Sequence, residues 1–485
     1  MKINRYIYIL ALLGFSLAGC SDFLEEKSQD IITPKTTEDY SALFAYEFYS
    51  NLDEDAIKYM TDDIVEVEES KQPAQKELVW SYYTWQKDIS LAFRPTQVKE
   101  DNMWGNMYKN IAIVNNFIED YENIEGSPGE KQYLLGEAYF VRGREYLSLV
   151  NIYGSPYNAS NLNVSGVPVI TEPEINLNVS RATTHEVYLQ VERDLLKSME
   201  QFEGSGITKS TSRPNVAAAQ LLLSRIYLYM GRWQDCIEWS TKLIENSNHK
   251  LWDIANFPTV PVVSTNNSEL IHNFGRRADA DNFMSSRSEE PHFKVSDGLM
   301  ALYQKHEWSH GDKRKQAYLK QDGWSWPLNF IDRKSTSSFS TLTQRSYRLV
   351  EAYYNRAEAH LNNGSANLTV EDLKTVLITR MKNFSDEIIP TDEILLKTFL
   401  QEQRRIELSF EVLRFFDLKR MKSEERPEIV HPFSEQDQDG NVVEKKIYKL
   451  PKDASYIIAL PNQEIVNNPN IETLTVNESI VEEVN

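Results

Sequence analysis

The stretch 213–236, RPNVAAAQLLLSRIYLYMGRWQDC, decides the fold. Arg213-Pro214-Asn215 opens it, apolar residues then run at helical spacing, and Gly231 supplies a turn before a second helix near Trp233. Small residues at Ser224 and Cys236 let the two helices approach, so Cys236 reads as a small buried residue and not as a nucleophile. An isolated pair of this kind cannot bury both faces, so neighbours of the same type are expected.

They appear on both sides. Trp104, Tyr108, Ile111 and Asn115, with Met107 and Val114, mark one amphipathic helix. Gly136 to Tyr153 marks another, apolar on two sides and therefore buried on two sides, stopped by Gly154 and Pro156. Thr183 and Glu186 form a capping box ahead of Val187, Val191, Leu195 and Met199, with His185 as a first-turn surface residue. The offsets of Leu223, Tyr227, Gly231 and Trp233 match a tetratricopeptide helix pair. Trp233, Trp239 and Trp252 read as packing between helices. Helical periodicity returns at Tyr347–Leu361, stopped by Gly364, and again over Ile394–Leu418. Between them, residues 256–343 are punctuated by Pro, Ser, Asn and Gly; a loop-rich stretch of this length is where function is expected. The tail from Lys445 mixes Pro with short extended segments. The fold class is mostly α: tetratricopeptide-like helix pairs with irregular loops and a few short strands.

Composition narrows the function. The 485 residues carry 52 Lys plus Arg against 72 Asp plus Glu, a net charge of −20, with no long basic run, which argues against nucleic acid and against adhesion to anionic lipid. Cys20 and Cys236 are the only cysteines, so a disulfide framework and a Cys-rich zinc module are excluded. The chain opens with Lys2 and Arg5, then an apolar run from Ile7 to Leu17, then Leu17-Ala18-Gly19-Cys20. This reads as a secretory signal peptide over 1–19. Its end resembles a bacterial lipobox, which implies cleavage before Cys20 and acylation there; several acyl chains anchor a protein stably. The acidic stretch Ser21-Asp22-Phe23-Leu24-Glu25-Glu26 resembles the surface-export signal of Bacteroidetes lipoproteins.

Several further stretches occur in an order similar to that of the SusD/RagB family of outer-membrane nutrient-binding lipoproteins. They are 136–142 with 151–154 and Gly166-Val167-Pro168, the 213–236 pair, Tyr347–Ala359, Gln403–Glu411 running into Arg414–Arg420, and Leu460–Ile465 with Asn468-Pro469. The chain departs from the pattern at Met421, where Trp is usual, and in the weakly matching loop 310–345, where Asp312 and Arg314 alone fit. The resemblance implies four tetratricopeptide-type helix pairs with a ligand site in irregular segments on one side. It implies one SusD-like domain over 20–485, with an N-terminal half of about 20–230 and a C-terminal half of about 260–485. It also implies an outer-membrane lipoprotein facing the cell exterior that caps a SusC-like TonB-dependent barrel, hands it captured ligand, and does no chemistry. No cofactor or metal is expected.

Sugars present apolar C–H faces and hydroxyl edges, which aromatic rings and amides can hold. Trp80, Trp85, Trp308, Trp324 and Trp326 lie outside the repeat helices. The stacking candidates are Trp80, Trp85, Trp324 and Trp326, supported by Tyr82, Tyr83 and Tyr318. The competing reading is that these rings pin loops to the scaffold. Peptide cargo is the alternative that the RagB branch suggests, and a scaffold without a small ligand is a third reading. His306-Glu307-Trp308-Ser309-His310 matches H-E-x-x-H, the pattern of a zinc hydrolase, but Gly311 follows at once in loop-rich sequence. Glu435 to Gly440 mimics the start of a calcium loop, yet Lys446 stands where a bidentate Glu is needed, so an Asp-Gly turn between short strands is expected. Asp53-Glu54-Asp55 and Asp62-Asp63 read as solvated loops.

Overall fold

The computed structural model describes residues 34–49, 53–68, 73–94, 102–173, 178–260, 267–274, 293–321, 329–331, 345–437, 439–476 and 478–483. The expected signal peptide, Cys20 and the acidic stretch after it lie outside the described residues. Helices dominate: α1 Thr37–Tyr49, α2 Met103–Glu119, α3 Pro128–Tyr153, α4 Thr184–Ser205, α5 Val216–Met230 and α6 Trp233–Asn246 come first. After the irregular layer come α10 Leu349–Asn362, α11 Ala366–Ile378, α12 Glu393–Glu407 and α13 Leu413–Arg420. From α2 to α6 each helix packs on the next; α1 packs on α3, and α10 packs on α5, α6, α11 and α12.

The local causes are visible. Ser127 caps α3 and Pro128 opens it, eight residues before Gly136, so the helix is longer than its apolar pattern suggested. At Gly136 a Cβ would meet the Phe202 ring at 2.8 Å, so only glycine lets α4 lie this close. Arg142 then makes a two-pronged ion pair to Asp194, at 3.0 and 2.7 Å, across the same interface. The capping box forms as expected: Thr183 Oγ accepts from Glu186 N, and Glu186 accepts from Thr183 N. Asn215 caps α5, and Gly231 closes it in the left-handed region. Ser224 is buried and accepts from Asn355 of α10 at 2.9 Å, and Cys236 donates to the Asn355 carbonyl, its thiol pushed up to about 12 by burial.

Two expectations fail at the level of elements. Ile394–Leu418 is not one helix. It breaks after Glu407, because Phe410 and Val412 adopt φ of 65° and 68°, and α13 starts afresh. Tyr347 is not helical; it lies in a strand that ends where α10 begins. Three side chains of the stretch around that break reach back. Buried Lys419 donates to the carbonyls of Asn151 and Gly154 at the end of α3, at 2.7 and 2.6 Å, where cations are favoured. Arg414 grips Asp62 at 2.8 Å, and Arg405 of α12 holds Asp63. The Asp62-Asp63 pair is therefore a buried ionic anchor, not a solvated loop.

The irregular layer is built from short antiparallel pairs: β1 Ile64–Glu66 with β3 Phe293–Val295, β2 Leu270–Phe274 with β6 Arg345–Arg348, and β4 Leu319–Gln321 with β5 Asn329–Ile331. A longer hairpin, β7 Ile429–Gln436 and β8 Val442–Leu450, adds β9 Ile480–Glu483. The 437–441 turn closes that hairpin: the Asp437 carboxylate accepts from the amides of Asp439 and Asn441, so it is spent on the turn. The strands on either side are longer than the sequence suggested.

Candidate functional site

Three short helices follow β3: α7 Asp297–Lys305, α8 Glu307–His310 and α9 Arg314–Tyr318, which runs into β4. They rest on a small second core of Val295, Leu299, Tyr303, Ala317, Tyr318, Leu319 and Ile406. Ser296 caps α7. The Tyr303 hydroxyl donates to the Ile406 carbonyl, and Tyr318 donates to Glu407 Oε1. A buried ionic hub lies beneath. Glu407 accepts from Arg348 and Arg380, Glu269 does the same, and Arg314 is shared between Asp312 and Gln403. Burial alone would raise the Glu407 carboxyl; Arg380, Arg348 and Arg314 outweigh it and hold the group well below the usual carboxylate range. This hub fixes the floor on which the short helices stand.

The floor presents one open indole. Trp308 on α8 is 92% exposed. Every other tryptophan among the described residues is buried or half-buried. Gly311, at φ 64°, closes α8, and there the chain turns against residues 382–383: Lys382 N donates to the Gly311 carbonyl and Asn383 N to that of His310.

The expected stacking residues fare differently. Tyr83 and Trp85 sandwich the buried His431 ring, with centroids 4.1 and 4.3 Å away and planes within 5° and 14°. The Trp85 Nε1 donates to the Met60 carbonyl. Tyr82 is buried beside them. Tyr318 is fully buried, its hydroxyl committed to Glu407. These four rings pin loops to the scaffold, and a sugar has no open face of them to meet. Trp80 is half-buried with its ring against Phe93. Trp324 and Trp326 lie outside the described residues, between the paired ends Gln321 and Asn329. So of the five described candidates four are buried and Trp80 is half-buried. Trp308 is not among the expected stacking residues, and nothing local marks it: Trp85 likewise has polar neighbours on both sides, Thr84 and Gln86.

His306 and His310 stand one turn apart, with His310 N donating to the His306 carbonyl at 3.1 Å and the ring centroids 5.6 Å apart, but no third ligand joins them among the described residues. His306 is the residue before α8. Glu307 is held by Lys315 at 3.0 Å, and His310 Nδ1 is 2.7 Å from Ser309 Oγ. Among the described residues no group of three or more His, Cys, Asp or Glu is placed to hold a metal ion, and no helix is long and apolar enough to cross a membrane.

Helix pairs carrying an irregular layer with an open indole define a binding scaffold. Residues 22–228 match the sequence family described as starch-binding and associating with the outer membrane, and residues 267–475 match the SusD family. The chain belongs to the SusD/RagB family. It is 24% identical to SusD-like protein P25 of Formosa agariphila over 52% of this chain and about half, 48%, of that one. It is 22% identical to SusD-like protein P2 of the same organism over 97% of this chain and 99% of that one. A SusD-like carbohydrate binding protein from Bacteroides vulgatus has the same fold, with a TM-score of 0.67 at 17% identity over 90% of this chain and 97% of that one.

Proposed function

We propose that the chain is a glycan-binding lipoprotein of the outer-membrane surface, anchored through acylated Cys20, that captures a polysaccharide and passes it to a SusC-like TonB-dependent barrel. The observation that carries the reading is Trp308, a whole indole in solvent on a floor braced by buried ion pairs. A large aromatic in that position gains nothing for the fold, since its apolar area stays in water. Both faces are open to the C–H face of a sugar ring. Family membership and the carbohydrate-binding structural relative support the same reading, and Trp324 and Trp326 are proposed to extend the platform. The Cys20 anchor rests on the lipobox pattern, and the barrel partner on the family.

Native electrophoresis of the chain from Ser21 through gels containing polysaccharide tests it. Retardation by one polysaccharide should be lost or reduced by Trp308→Ala, about 1–3 kcal/mol if a ring stacked on an aromatic is the guide. Trp239→Phe, in a half-buried position of α6, should leave retardation unchanged. Retardation by a protein digest instead would transfer the role to peptide cargo.

A further inference from the structure

The surroundings of Trp308 are basic in an acidic protein. Residues 305–320 hold Lys305, Lys313, Arg314, Lys315 and Lys320 against Glu307 and Asp312, while the whole chain carries −20. Three carboxylates around Trp308 are already paired, and of the two that follow Lys382 in sequence, Asp386 and Glu387, the first is held by Lys374 at 2.9 Å. Glu307 is held by Lys315, Asp312 by Arg314 at 2.6 Å, and Glu402 by Lys305 at 2.6 Å. Two cations are left over. Lys313, which precedes α9, and exposed Lys382 have no carboxylate within ion-pair distance among the described residues. Both flank the Gly311 turn that ends the helix of Trp308: a Cβ at Gly311 would lie 3.2 Å from that of Lys382 and 3.6 Å from the Asn383 amide nitrogen.

We infer that this surface takes an anionic glycan, one whose sugar ring lies on Trp308 while a carboxylate or sulfate ester meets Lys313 and Lys382, with the Asn383 amide as a further donor. The inference rests on the glycan reading above and adds the charge of the ligand. A neutral polymer would need the indole and amide but not two unpaired ammonium groups. In a chain of strong net negative charge, long-range attraction would not bring an anionic polymer in, so a local pair of cations has a specific job.

The test is affinity electrophoresis with three probes: a polygalacturonate, a sulfated galactan and a neutral β-glucan. Wild type, Trp308→Ala and the double variant Lys313→Gln with Lys382→Gln are compared at low and high salt. The expected result is salt-sensitive retardation by an anionic probe, weakened about tenfold by the double variant, since two exposed ion pairs near the top of their usual range amount to that. Which of the two anionic probes is retained says whether carboxylate or sulfate is the group read. Retardation by the neutral glucan that Trp308→Ala abolishes and the lysine variant leaves unchanged would overturn the charge inference and leave the glycan reading standing. No retardation by any probe would overturn both.

Discussion

Glu407 shows how a single residue can bind distant parts of the chain. Its carboxylate accepts from Arg348 at the end of β6, from Arg380 after α11 and from Tyr318 of α9, all of them buried. Replacing it with Gln removes the charge but not the cations, and an uncompensated buried charge costs about 3–5 kcal/mol. Glu407→Gln is therefore expected to lower stability by that amount in denaturant unfolding, with Lys305→Gln, an exposed partner of Glu402, costing less than about 1 kcal/mol. The same residue scale is where the sequence is least informative about function. Trp85 and Trp308 both lie outside the repeats, and nothing in their local spacing separates them. What separates them is distant: His431 lies 346 positions beyond Trp85 and closes over its face, whereas no ring among the described residues stacks on Trp308.

At the scale of elements, the helices were legible because their signals are local. The capping box at Thr183, the cap at Asn215 and the turn at Gly231 are each written within a few residues. The break between α12 and α13 was not, because Phe410 and Val412 continue the apolar face of a helix while the backbone leaves it. Val412 is β-branched and in the left-handed region, where such residues are strained. Glycine relieves that strain but leaves the buried side chain's space empty. Val412→Gly should therefore cost at least about 2 kcal/mol less than Val191→Gly, an equally buried valine within α4, where glycine also weakens the helix. Equal costs in thermal or denaturant unfolding would show that the backbone at 412 is not strained. Short strands were expected, but the pairing of β2 with β6 was not legible: they are five and four residues long and lie more than 70 positions apart.

At the scale of the whole molecule, the core joins the helix pairs to the irregular layer through buried groups that must hold one protonation state. His272 is enclosed by Tyr49, Phe140, Phe274 and Tyr347, and burial pulls its imidazole down to about 3. It is neutral in the fold and takes a proton near pH 6.5 when unfolded. Its contribution is thus whole above pH 6.5 and is lost as the pH falls toward 3, about 2 kcal/mol by pH 5. Asp417, whose burial is outweighed by Arg404 and Arg420, is held at about 2 and adds its own loss only below pH 4. His272→Phe should flatten the stability profile between pH 7 and 5 while leaving the steeper fall below pH 4 in place; an unchanged slope would mean that His272 is not held neutral.

The central claim is that a polysaccharide is captured on the open indole of the irregular layer. A crystal structure of the chain with an oligosaccharide of the retained polymer tests it most directly. The expected result is a sugar ring in van der Waals contact with the Trp308 indole, with Lys313 or Lys382 on its charged substituent. A sugar bound elsewhere, with Trp308 bare, would contradict it.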